Sequence, residues 1–70
     1  MDTLAEDIEQ NLGERGFCVV LEDELQRYWP SEKTKPADRE KQIQTFAKSR
    51  GWIVPIFDTD SGMRAIFKPQ

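Results

Sequence analysis

The chain has no histidine and a single cysteine, Cys18, among its 70 residues. One thiol cannot close an intrachain disulfide, and one Cys with no His cannot supply the four ligands of a zinc site. A Cys–His nucleophile pair is excluded for the same reason, so Cys18, set in an apolar run, reads as a small buried hydrophobe. Long apolar runs are also missing. The longest, Trp52 to Phe57, is far short of a membrane span. Together with the lack of a signal peptide, this leads to the expectation of a soluble, cytoplasmic protein. There is no repeat, no low-complexity tract and no linker, and at this length the expectation is one domain over residues 1–70 with a thin core. No glycine loop suited to cradling phosphate occurs, so the chain is expected to be non-enzymatic, with no cofactor and no metal. The Asp58-Thr59-Asp60-Ser61-Gly62 run is not a calcium loop: its glycine comes one position early and Pro69 stands where the closing Glu belongs. Turn chemistry explains it better.

Charge is present but unevenly placed. Residues 1–32 hold nine acids against Arg15 and Arg27, a net of −7, whereas residues 33–70 hold eight cations against four acids, a net of +4. The basic half is the candidate for an anionic partner.

Apolar spacing gives the elements. Thr3-Leu4-Ala5-Glu6 fits a capping box, and Leu4, Ile8 and Leu12 follow at every fourth position, predicting a first helix that ends at Gly13 or Gly16. Phe17 to Val20 is a short strand candidate. Leu21, Leu25, Tyr28 and Trp29 mark a second helix stopped by Pro30, with the acids Glu22, Asp23 and Glu24 solvating its start. Pro36 opens a third helix running to about Arg50, with Ile43, Phe46 and Ala47 inward and Gly51 as its cap. Lys41, Gln44, Thr45 and Lys48 form a stripe of donors on its far side, with Asp38 at the edge.

Two apolar arms then flank the turn. With Thr59 to Gly62 as loop, paired residue numbers sum to 121, which puts Trp52, Val54, Ile56, Ala65 and Phe67 on a core face. Ile53, Pro55, Phe57, Arg64, Ile66 and Lys68 share the other face. Ile53, Phe57 and Ile66 there are candidate interface residues, because an apolar patch without an internal partner marks association. The covering of that face by Leu4, Leu25 or the N-terminal strand is the competing expectation. The fold class read from these elements is α+β: three helices with a C-terminal β-hairpin and a short third strand.

The order helix, strand, helix, helix, strand, turn, strand resembles the winged helix-turn-helix domain over nearly the whole chain. "LGERGFCVVLEDELQRYWP" is similar to its first helix end, small strand and second helix; "DREKQIQTFAKSRGWIV" to its third helix and first wing strand; "FDTDSGMRAIF" to its wing. The resemblance implies a DNA-binding protein, a transcriptional regulator, that lays its third helix in the major groove of duplex DNA. It implies that Lys41, Gln44, Thr45 and Lys48 read or hold the duplex, with Lys33, Lys35 and Arg39 on phosphates and Arg64 and Lys68 adding contacts from the hairpin. The chain departs from that pattern in a long connection between helices two and three and in Asp38, Glu40, Asp58 and Asp60, whose charge repels phosphate. Two other roles are open: a protein-interaction module, as a homodimer or with another protein through the hairpin, and an acidic DNA mimic built on the N-terminal half.

Overall fold

The computed structural model describes residues 2–70, Asp2 by its backbone. Three helices, α1 (Asp2–Arg15), α2 (Glu22–Tyr28) and α3 (Pro36–Ser49), cover one face of an antiparallel sheet made by β1 (Cys18–Val20), β2 (Trp52–Ile53), β3 (Ile56–Thr59) and β4 (Gly62–Pro69). The class is α+β with a C-terminal hairpin, as the apolar spacing requires.

α1 already includes Asp2, so Thr3 lies inside the first turn and not ahead of it as the capping-box reading expected. The helix runs through Gly13 and ends where the Gly16 N–H donates back to the Leu12 carbonyl at 2.9 Å. α3 ends as expected: Gly51 has φ +77, and its N–H donates to the Lys48 carbonyl at 3.1 Å.

β4 is the central strand. β1 pairs along one side of it, Val19 opposite Ile66, and β2 and β3 share the other side. The latter two are one edge strand interrupted at Val54-Pro55, where Pro55 has no N–H to donate. Its carbonyl still accepts from the Ile66 N–H at 3.0 Å, so the register carries through the break. Every pair, from Trp52 with Pro69 to Thr59 with Gly62, keeps the sum of 121. The hairpin is tighter than expected by one residue at each end: Thr59 and Gly62 pair, leaving Asp60 and Ser61 as the turn. The Thr59 hydroxyl donates to the Gly62 carbonyl at 2.6 Å.

The core lies between helices and sheet. Leu4 and Ile8 of α1, Leu25 and Trp29 of and after α2, and Ile43 and Ala47 of α3 meet Val20, Trp52, Val54, Ala65 and Phe67. Phe46 is its aromatic hub, edge-on to Trp29 at 5.5 Å, to Trp52 at 6.1 Å and to Phe67 at 6.2 Å between ring centroids. Cys18 is buried, and burial first, then the Asp7 carboxylate, pushes its thiol pKa up. Among the described residues no helix is long and apolar enough to cross a membrane.

Candidate interaction surfaces

Two charged residues expected at the surface are instead joined inside. Arg39 is only 3% exposed. Its Nε donates to the Trp29 carbonyl at 2.7 Å, and its two terminal nitrogens donate to the two carboxylate oxygens of Glu22, one at 3.1 Å and the other closer. Glu22 Oε1 also accepts from the Met63 N–H at 2.8 Å. One ion pair therefore ties both ends of α2 to α3 and to the start of β4. The Arg39 hydrogen bonds hold the Glu22 carboxyl below its ordinary pKa, against an opposing push from burial and with help from the Met63 N–H. Gly62 makes room for this arrangement: a Cβ there would lie 2.5 Å from Glu22 Cγ, and its φ is +120.

This corrects two expectations. Arg39 cannot hold phosphate, because its donors face Glu22 and Trp29. Glu22 does not solvate the start of α2, although Asp23 beside it is exposed and Glu24 half-buried. The signal was present in the spacing: Arg39 precedes Ile43 and Ala47 by four and eight residues, on the buried stripe of α3.

The other cations fall into two separate sets. Lys41, Gln44, Thr45 and Lys48 all line the outer side of α3, and neither lysine joins an ion pair among the described residues. Gln44 and Lys48 border a hollow shared with Trp52, Ile53, Val54 and Gln70, which holds no carboxylate side chain. Lys33 and Lys35 stand ahead of the helix. Arg64 and Lys68, by contrast, alternate with buried Met63, Ala65 and Phe67 on β4 and so point away from the helices. The sheet stands between them and the α3 stripe, so the structure does not bring the hairpin cations and the helix cations onto one panel.

The outward face of the sheet is mostly apolar. Among the described residues, the large hydrophobic side chains that stay exposed are Phe17 (43%), Val19 (43%), Leu21 (59%), Ile53 (48%) and Phe57 (49%). Three of them share this face by strand register: Val19 is opposite Ile66, Ile53 opposite Lys68 and Phe57 opposite Arg64. Phe17 and Leu21 flank β1 just outside the strand. Leu21 and Arg64 line one hollow together with Glu22 and Asp23. Arg64 and Lys68 join no ion pair among the described residues. Leu4 and Leu25 are in the core and β1 lies beside β4, so none of the three covers the face; β1 widens it. Sequence reasoning found Ile53, Phe57 and Ile66 but missed Val19 and Leu21, whose placement depends on where β1 docks.

Comparison with protein families, with curated proteins and with solved structures finds no match. Function is therefore read from the surfaces themselves.

Proposed function

We propose that this chain is a non-enzymatic protein-interaction module whose docking surface is the outward face of its sheet. One observation carries the reading: the exposed large hydrophobics Val19, Ile53 and Phe57 share that face, with Leu21 beside Arg64 at its end. Single exposed apolar residues are ordinary, whereas a contiguous apolar patch marks a binding site. The element order is compatible with a winged-helix-like scaffold in this role. The reading is tested by panning a random-peptide display library against the folded chain. Recovered clones should lose binding to a Phe57→Asp variant and keep it with Lys48→Ala. A library that yields no clone dependent on Phe57 overturns the proposal.

A second reading, duplex DNA binding and with it transcription regulation, is favoured by the α3 stripe, whose lysines join no ion pair among the described residues. It rests on Lys33, Lys35, Lys41 and Lys48, with Gln44 and Thr45 toward base edges, and not on Arg39, Arg64 or Lys68. Four phosphate contacts give a slope of log K against log salt of about −3.6, and each of Lys41→Ala and Lys48→Ala flattens it by about one. Anisotropy titration of a labelled random duplex reads this directly. Folded protein that fails to bind at low salt excludes it.

A further inference from the structure

The outward face has a chemistry that selects among occupants. We infer that it docks an acidic amphipathic helix of a partner protein, with apolar side chains over Val19, Ile66 and Pro55 and carboxylates over Arg64 and Lys68. This rests on the docking reading above and adds the identity of what docks.

Shape comes first. Two inter-strand spacings make the face about 10 Å wide, the diameter of one helix with its side chains. Arg64 and Lys68 are four residues apart on the extended central strand, about 13 Å. Carboxylates on a helix come back to the same side when they are seven residues apart, about 10.5 Å, which long side chains extend to that separation.

Charge then decides. The face presents two cations and no carboxylate at its alternating strand positions. The carboxylates that share a hollow with Arg64 are Glu22, which is committed to Arg39, and Asp23. An apolar occupant without acids would strip water from Arg64 and Lys68 and return nothing. A second copy of this chain does worse. Face-to-face packing about a twofold axis along β4 sets Arg64 over Arg64 and Lys68 over Lys68. An axis across β4 sets Arg64 over Lys68. Either way the cations of the two copies are set against one another, four in all, with Asp23 beside Arg64 the one uncommitted carboxylate of that hollow. The exposed acids of α1 cannot supply the complement, because the apolar side of that helix is committed to its own core through Leu4, Ala5 and Ile8.

Single-stranded nucleic acid also combines negative charge with flat apolar groups. It needs aromatic platforms for successive bases. Here the middle row is Val19, Ile66 and Pro55, and the two phenylalanines, Phe17 and Phe57, belong to opposite edges of the sheet. An aliphatic centre fits protein side chains.

The experiment uses peptides recovered by panning the full chain, read for charge. Phe57-dependent clones should be enriched in Asp and Glu. Their affinity should fall at least tenfold on Arg64→Glu with Lys68→Glu and weaken as salt rises, and panning against that doubly reversed variant should enrich Lys and Arg instead. Circular dichroism confirms that each variant is folded. Phe57-dependent clones with no preference for acids would leave the docking surface standing and overturn the acidic partner. An absence of Phe57-dependent clones would overturn both. Sedimentation velocity showing self-association abolished by Phe57→Asp would assign the face to a second copy, and binding of labelled oligo-dT lost on Phe17→Ala and Phe57→Ala would assign it to nucleic acid; either result overturns the inference.

Discussion

Replacing Glu22 by Gln should remove a large part of this protein's stability, although the side chain keeps its shape and size. The Arg39 side chain is 4% exposed and its partner 20% exposed. The neutral amide of a Glu22→Gln variant would leave a buried guanidinium without a counter-charge. Its NH2 group must also face a donor, either the guanidinium or the Met63 N–H. Breaking a buried pair from one side costs about 3–5 kcal/mol. A domain of 70 residues has a total stability of roughly 3.5–10 kcal/mol at the usual per-residue value. The loss is therefore a large part of the whole. Urea denaturation followed by far-ultraviolet circular dichroism at pH 7 measures it. Arg39→Met should cost less, about 2–3 kcal/mol, since it orphans the Trp29 carbonyl and leaves a carboxylate that water partly reaches. The double variant should be more stable than the sum of the two losses implies by about 2 kcal/mol. The pH dependence adds a check. The folded-state pKa of Glu22 is depressed, so its contribution is fully present above the unfolded-state pKa and is lost as pH falls through the folded value. The gap between wild type and Glu22→Gln should therefore close progressively below about pH 4. A Glu22→Gln protein within about 0.5 kcal/mol of wild type, well inside the ordinary range for surface changes, would refute the reasoning.

Other perturbations separate the core from the outward face. Gly62→Ala should destabilise by about 2 kcal/mol or more, because an L residue is strained at φ +120 and its Cβ collides with Glu22; wild-type stability in a urea melt would refute this. Phe67→Ala, at a fully buried position edge-on to Phe46 and Trp52, should cost about 3–5 kcal/mol by the same melt. Phe57→Asp, half-exposed on the edge strand, should change stability by less than about 1 kcal/mol, so that its effect on binding is not a folding effect. The Cys18 thiol, buried with its pKa raised, should react with a disulfide reagent much more slowly in the native chain than in urea; equal rates would contradict its placement.

Much of the architecture was legible because it follows from local rules. Leu4, Ile8 and Leu12 recur at helical spacing, Pro36 opens a helix, Gly51 closes one, and alternation along Trp52–Phe57 and Met63–Lys68 sets the hairpin register. The hairpin joins neighbours in sequence, so one turn dictates every pair. The surfaces were less legible. Glu22 and Arg39 belong to different helices, 17 residues apart, and a charge on an apolar stripe looks like an exposed charge until its partner is known. Glu22, Leu25 and Trp29, like Arg39, Ile43 and Ala47, share helical spacing; that was the available signal.

From sequence alone came the helices, the hairpin with its register and the sidedness of Ile53, Phe57 and Ile66, since each depends on side-chain period and turn chemistry within one stretch of chain. Only the packed molecule decided that Arg39 turns inward, that Arg64 and Lys68 face away from Lys41 and Lys48, and that β1 adds Val19 to the open face, with Leu21 beside Arg64. Those outcomes depend on which side of β4 receives β1 and on whether a desolvated charge finds its counter-charge. Both are set by contacts between segments far apart in the chain.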